Sequence, residues 1–384
     1  MKKDWTYKKL GEVAEVIGGS TPKTSEPANW KGSNMWVTPA ELDGSKYFGK
    51  TQRTISDEAA SKLQLLPIGT VLFSSRAPIG KVAITTAPMY CNQGFKNIVC
   101  GEGLCNEYVY WCLKYNVPLL QSLGVGATFK ELSKSAMSDF SIPIPPLSIQ
   151  HSIVRELDLL HSMIEKKKEQ LYELDNLAQS LFYQMFGDPI TNPMSWEVKR
   201  LGEVCDKITD GSHNPPKGVD HSAFRMLSSQ NIFNGYIDYS AGIRYLTKED
   251  FEIEDRRTNL QVGDVLMTIV GTIGRTCIVS SLDTNITLQR SVAVLRPNKI
   301  LGSKYLSYFM MSINSILNRE AHGIAQKGIY LKQLSNFSLP LPPLSLQQSF
   351  AAKIEAIEAQ KALVRQSIEE AHTLLAARMQ YYFE

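Results

Sequence analysis

A chain of 384 residues that is 43% hydrophobic is long enough for two or three domains and apolar enough for real cores. Its 41 basic and 38 acidic residues nearly cancel, leaving a formal charge of +3, which excludes a histone-like tail and an acidic disordered segment. The basic start MKKDWTYKKL is followed by no apolar stretch, and no run nears the roughly 18 apolar residues of a membrane span. Neither a secretory leader nor a membrane anchor is expected. The six cysteines (Cys91, Cys100, Cys105, Cys112, Cys205 and Cys277) form no CxxC pair and match no zinc spacing. Buried thiols in a reducing cytoplasm are expected, with no metal.

In chain order, the first 140 residues or so mix Gly, Ser and Thr with short apolar runs. Val71-Leu72-Phe73 and Val82-Ala83-Ile84 read as strands, and Tyr108 to Leu113 as a late helix. IPIPPL (142–147) then forces extended backbone, because proline fixes φ and restricts its predecessor. Residues 149–186 hold neither Pro nor Gly and predict one long helix. Ile153, Leu157, Leu160, Ile164, Leu171, Leu174, Ala178, Leu181 and Met185 mark its apolar seam, broken only at Lys167. Gly187-Asp188-Pro189 supplies the stop.

The plan then repeats. Val265-Leu266-Met267 and Cys277-Ile278-Val279 read as strands, and Tyr305 to Met311 as a helix. LPLPPL (339–344) precedes a second long helix, with Ser345 and Gln348 as a capping box. Its seam is Phe350, Ile354, Ile357, Val364, Ile368, Ala371, Leu375 and Tyr382, broken at Lys361 and Arg378.

The repetition is literal in places. WTYKKLGEV (5–13) returns as WEVKRLGEV (196–204), and IGTVLFSSRAPIGKVAI (68–84) as VGDVLMTIVGTIGRTCI (262–278). SDFSIPIPPLSIQHSI (138–153) returns as SNFSLPLPPLSLQQSF (335–350), and Asn92-Gln93 aligns with Leu288-Gln289 at an offset of 196. A period near 195 is a duplicated domain, far beyond a solenoid unit. The expected fold is α+β: two similar globular domains (1–146 and 188–343) separated by two long helices (147–187 and 344–384) in an internal pseudo-twofold repeat. A helix of 38 residues is about 57 Å long, and two equal seams suit an antiparallel coiled coil. The alternative is that each helix packs only on its own domain. Trp5, Trp196, Phe140 and Phe337 are expected in the cores.

Catalytic signatures do not surface. Gly80-Lys81 lacks the upstream glycine of a phosphate loop, and Gly124-Val125-Gly126 lacks a third glycine. Asn214-Pro215-Pro216 is followed by Lys217, where a methyltransferase motif needs an aromatic ring to stack on an extruded base. Asp188 with Glu197 and Lys199 imitates a nuclease set, but Thr6-Tyr7-Lys8 fills the matching stretch of the first copy. The histidines (151, 161, 213, 221, 322 and 372) have no metal spacing, and His151, His161 and His372 are expected to face solvent. Residues 1–146 hold 16 basic and 12 acidic side chains, and 188–343 hold 17 and 15. That modest excess permits a nucleic-acid ligand, and a solvated face explains it as well.

The paired openings, the paired Val-Leu turns ending in IGK or IGR, and the paired IPIPPLSIQ and LPLPPLSLQ together resemble one family. It is the DNA specificity subunit of type I restriction–modification systems, and the resemblance covers essentially the whole chain. It implies two target-recognition domains that each read half of a split, asymmetric double-stranded DNA site, and helices that act as a ruler. It further implies docking of two copies of the methylation subunit and, for restriction, of the motor–nuclease subunit. S-adenosylmethionine, ATP and Mg would belong to those partners, and this cytoplasmic chain would be non-catalytic.

Under that resemblance the base-reading candidates are polar residues on loops that differ between copies. They are Ser20, Thr21, Lys23, Arg76, Gln93 and Lys96, then His213, Lys217, Gln289 and Arg290. Lys130 and Lys327, matched at offset 197, and Lys81 with Arg275 fit phosphate contacts that give register without sequence information. The helix seam at Ile153, Leu157, Leu160, Ile164, Leu171, Ile354, Ile357, Val364 and Ile368 is expected to pair the two helices with each other, and the paired helices to carry the partner-docking surface. Two other readings stay open: a coiled-coil scaffold without specific DNA binding, and an enzyme with an unfamiliar site, such as a nuclease.

Overall fold

Residues 71–75 are buried at all five positions, because the sheet they centre is covered on both faces. The computed structural model describes residues 5–126, 130–240, 242–280, 285–321 and 327–384. Of the histidines named above, His322 lies outside the described residues. The chain forms two units, Met1–Lys168 with Gln366–Glu384, and Glu169–Arg365. The division thus runs through both long helices.

The first unit begins with β1 (Thr6–Lys9), α1 (Leu10–Val13), β2 (Ala14–Gly18), β3 (Asn34–Val37), β4 (Tyr47–Phe48), β5 (Arg53–Ile55) and α2 (Asp57–Ala60). It continues with β6 (Val71–Ser75), β7 (Ile79–Thr85), β8 (Tyr90–Cys91), β9 (Lys96–Cys100), α3 (Asn106–Tyr115), α4 (Val117–Ser122), α5 (Lys134–Asp139) and β10 (Ser141–Ile144). A five-stranded sheet runs β2-β9-β6-β7-β4, beside a three-stranded sheet β5-β3-β8. The period of two decides where each side chain goes. Val71, Phe73, Val82, Ile84 and Ile98 face the core that includes α3. Ile17, Leu72 and Ala83 face a second core on the other side. Six consecutive residues of α3, Tyr108 to Leu113, are buried, as a helix apolar all round must be.

The long helix α6 (Leu147–Phe186) leads into the second unit: β11 (Glu197–Arg200), α7 (Leu201–Val204), β12 (Cys205–Asp210), β13 (Phe224–Leu227), β14 (Ile232–Phe233), β15 (Tyr236–Ile237), β16 (Arg244–Leu246) and α8 (Lys248–Thr258). Then come β17 (Val265–Thr268), β18 (Thr276–Ile278), β19 (Ile286–Leu288), β20 (Val292–Pro297), α9 (Ser303–Ser312), α10 (Asn314–Glu320), α11 (Leu331–Asn336), β21 (Ser338–Leu341) and α12 (Leu344–Phe383). The main sheet order β12-β20-β17-β18 repeats β2-β9-β6-β7 strand for strand. Duplication is therefore visible in topology as well as in sequence. The copies differ locally: α8 has 11 residues where α2 has four, and the β14–β15 hairpin packs near β18 where β4 pairs with β7.

Each proline-rich stretch becomes an edge strand, β10 pairing antiparallel with β1 and β21 with β11. Tyr108 Oη donates to the Pro143 carbonyl at 2.8 Å, and Tyr305 repeats the bond to Pro340. A buried glutamine closes each joint. Gln150 accepts from the Cys105 amide (2.8 Å) and donates to Gly103 O (3.0 Å) and Pro145 O (2.9 Å). Gln347 does the same with Gly302 N (2.7 Å), Ile300 O (3.2 Å) and Pro342 O (2.8 Å). Gln347 thus replaces the expected Ser345–Gln348 box. α12 already starts at Leu344, so Ser345 lies inside the helix rather than capping it.

Within the first unit the start of α6 and the end of α12 share one core with α3, through Ile153, Val154, Leu157, Met379, Tyr382 and Phe383. Within the second, the end of α6 meets the start of α12 at Phe182, Phe186 and Phe350. The two helices pair antiparallel. Of the expected seam, Ile153, Leu157, Leu160, Ile164, Ile354, Ile357 and Val364 are buried, while Leu171 and Ile368 are half-buried.

Several expectations need correction. Leu181 and Met185 are only half-buried, and Phe182 and Phe186 take their places. From Leu174 the buried stripe advances in steps of four, through Ala178, Phe182 and Phe186, which turns it toward Tyr305. Lys361 and Arg378, read as breaks, are cross-helix ion pairs with Asp175 and Glu156. His161 does not face solvent freely: its ring meets Trp111 edge-on at 5.8 Å, and burial lowers its pKa. Trp5, Trp196 and Phe337 are half-buried, whereas Phe140 is buried. Gly187 ends α6 as expected, at φ +79° with its amide bonded to Tyr183 O at 2.9 Å.

Candidate nucleic-acid interface

In both units the first strand of the main sheet exits across the turn that precedes the strand beside it. The crossing demands glycine. A Cβ at Gly19 would lie 1.9 Å from Asn92 O, and one at Gly211 2.0 Å from Leu288 O. The next amide closes the crossing: Ser20 N to Cys91 O at 2.9 Å, Ser212 N to Leu288 O at 2.7 Å. These bonds set the true correspondence. Cys91 matches Leu288, so Asn92 matches Gln289 and Gln93 matches Arg290, an offset of 197 rather than 196.

On the first unit this frame carries Ser20 and Thr21 next to Gln93, and the Thr21 hydroxyl bonds the Gln93 side chain. Ser75 N bonds Gly94 O at 2.7 Å, which sets Arg76 beside the same turn. Glu131 then gathers two of the cations. Lys96 Nζ lies 3.2 Å from it and Arg76 3.7 Å. Lys96 also reaches Ser75 Oγ at 3.2 Å and is largely buried, so it acts first as a brace for this rim. Lys130, next in the chain to Glu131, is exposed. Lys23 is exposed as well and pairs with Glu26 at 3.2 Å. Lys81 is placed differently. Its ammonium donates to Pro39 O (2.9 Å) and Leu42 O (2.8 Å), tying β7 to a loop.

On the second unit the frame carries His213 beside Gln289 and Arg290, whose amide bonds Ser212 O at 2.9 Å. Buried Asp210 accepts from His213 Nε2 at 2.9 Å and from the Arg257 guanidinium. Arg257 escaped the sequence reading because its partner lies 47 residues away; its one local signal is a basic pair closing α8. Lys217 is exposed on a loop that Arg244 holds through the Pro215 and Pro216 carbonyls. Lys327 is exposed, and its carbonyl accepts from Gly271 at 3.3 Å. Arg275 does not join the loops. Its guanidinium lies over the Phe233 ring at 4.6 Å and lines a cleft of about 1150 Å³ against α6 and α12.

Electrostatically the rims differ. Thr21 and Gln93 offer neutral donors and acceptors, where His213, Arg257 and Arg290 offer mostly cationic donors. Such groups suit hydrogen bonds to base edges and phosphates. Beneath the first rim, burial pushes the Cys91 thiol up to about 12, an inert group that accepts from Asn97 Nδ2 at 3.0 Å. Among the described residues no group of three or more His, Cys, Asp or Glu side chains is placed to hold a metal ion. No helix among them is long and apolar enough to cross a membrane.

Comparison with known proteins is consistent over the length of the chain. Residues 2–175 and 193–373 match the family model of the type I restriction modification DNA specificity domain. The MjaIX type I specificity subunit of Methanocaldococcus jannaschii is 34% identical over 276 residues, 66% of this chain and 64% of that relative's own length. The EcoBI specificity subunit of Escherichia coli is 23% identical over 407 residues, covering 96% of this chain and 82% of the relative. A solved chain from a type I system complex superposes with a TM-score of 0.61 at 20% identity, over 98% of this chain and 96% of its own. The type I S subunit from M. genitalium gives 0.55 at 12% identity, over 99% and 96%. These structures establish the likeness of fold.

Proposed function

The chain belongs to the type I restriction–modification DNA specificity family, and from that premise we propose that it reads a bipartite, asymmetric DNA target for partner methylation and restriction subunits. One observation carries this reading. The same backbone crossing, at Gly19 and Gly211, presents Thr21 and Gln93 in one unit and His213 and Arg290 in the other. A shared frame fixes where a side chain meets the duplex, and different side chains on it select different bases. Gln suits adenine N6 and N7, and Arg suits guanine O6 and N7. Two unlike half-sites follow.

The chain itself performs no bond-making step in this proposal. Two methylation subunits dock along α6 and α12, and the motor–nuclease subunit joins that core. S-adenosylmethionine, ATP and Mg bind to those partners, and the assembly works in the cytoplasm. The test is binding of duplex DNA by the purified chain and by its complex with the methylation subunit. The complex should bind its target far more tightly than random sequence, with the logarithm of the binding constant falling linearly with log salt. Methyl transfer by the chain alone, or equal affinity for all sequences in the complex, contradicts the proposal.

A further inference from the structure

The two long helices are equivalent at an offset of 197, both running 40 residues from Leu147 and Leu344. Their polar seam contacts do not share that symmetry. In the second unit Lys361, only 6% exposed, pairs with Asp175. The equivalent positions in the other half hold Ile164 and His372. In the first unit Glu156 accepts from Arg378 (Nη2 at 3.1 Å) and from Tyr382 Oη at 2.6 Å. Their equivalents are Lys353, Leu181 and Met185. Both acidic members sit on α6 and both basic members on α12.

We infer that these two ion-pair sets choose the partner: the face of α6 fits an α12 and rejects a second α6. The pseudo-symmetry lets the alternatives be written out. A second α6 in the place of α12 would set Asp175 against Ile164 and Glu156 against Leu181 and Met185, leaving both carboxylates without the cations they pair with here. A second α12 in the place of α6 would set Arg378 against Lys353, cation against cation, and Lys361 against His372, which offers no carboxylate. A seam built only of the repeated apolar residues would not discriminate, because Ile153 and Phe350, or Leu157 and Ile354, are interchangeable in kind. Charged seam positions are how paired helices select partners, since a mismatched pairing leaves each charge without its counter-ion, and buried Lys361 loses most by it. The same acid-on-one, base-on-the-other rule thus keeps two copies of this chain from joining through like helices.

The experiment uses the full chain in two differently tagged forms produced together. One carries Glu156→Lys and Asp175→Lys; the other carries Lys361→Glu and Arg378→Glu. Each then opposes like charges internally, and only α6 of one with α12 of the other restores both pairs. The expected result is co-purification as an exchanged one-to-one dimer, which two tagged unmodified chains do not form. A third chain with all four reversals separates partner choice from simple unfolding. It should be monomeric and recover most of the melting temperature lost in each half-reversed form. The inference is overturned if the reversed pair fails to co-purify, if unmodified chains exchange as readily, or if the fourfold variant melts as low as the half-reversed ones.

Discussion

The joint between each globular part and its long helix differs in kind from the loop rim of the same unit. At the joints the two copies agree atom for atom: Tyr108 and Gln150 on one side, Tyr305 and Gln347 on the other, satisfy the same carbonyls and amides. At the rims the backbone crossing agrees and the side chains do not. The difference follows from solvent. A buried amide must find a partner inside the protein, so a change at Gln150 strands several groups at once. Gln93 and Arg290 face water, which satisfies whatever is placed there.

Breaking a joint should cost the most. Gln347→Leu leaves the Gly302 amide and the Ile300 and Pro342 carbonyls without their side-chain partner and should cost about 4 kcal/mol, seen in chemical denaturation. Gly211→Ala drives a methyl into the Leu288 carbonyl and should cost about 2–3 kcal/mol by the same measurement. Rim changes should invert this pattern. Gln93→Ala or Arg290→Ala should leave stability within about 0.5 kcal/mol. Each should weaken target binding by about 1–3 kcal/mol and relax discrimination in one half-site only.

Two lysines sharpen the contrast. Lys130→Ala should weaken binding to all sequences and reduce the salt slope by about one. Lys81→Met, whose ammonium is engaged by Pro39 and Leu42, should lower stability and leave that slope unchanged. The smallest effect is a pH dependence. Burial beside Trp111 lowers the His161 pKa below its unfolded value, so the unfolded chain binds the proton first as pH falls. Stability from this group is present above about pH 6.5 and declines below it. His161→Gln should flatten that part of a melting-temperature profile.

Local signals were legible and remote pairings were not. Proline stretches, the Gly187 stop and the apolar stripe of α6 each write themselves within a few residues, so the two long helices and the duplication could be read directly. The last two turns of α6 are not decided by sequence, because Leu181, Phe182, Met185 and Phe186 are all apolar and only the packing against Tyr305 chooses among them. Lys361 and Arg378 looked like faults because their partners lie 186 and 222 residues away. The rim was half visible. Ser20, Gln93 and His213 stand out as polar loop residues beside the repeated anchors, while the Asp210–Arg257 contact is set by the fold. Lys81 stood out for the Gly-Lys pair in a turn, yet its carbonyl partners come from a loop some 40 residues earlier.

On the proposed reading each unit recognises its own half of the target on a common frame. The decisive experiment replaces residues 1–146 with the corresponding part of another family member and maps methylated bases genome-wide in cells that supply the methylation subunit. Independent reading of the two half-sites requires that one half of the methylated motif changes while the half read by residues 188–343 stays as it was. An exchange that altered both halves together would contradict it.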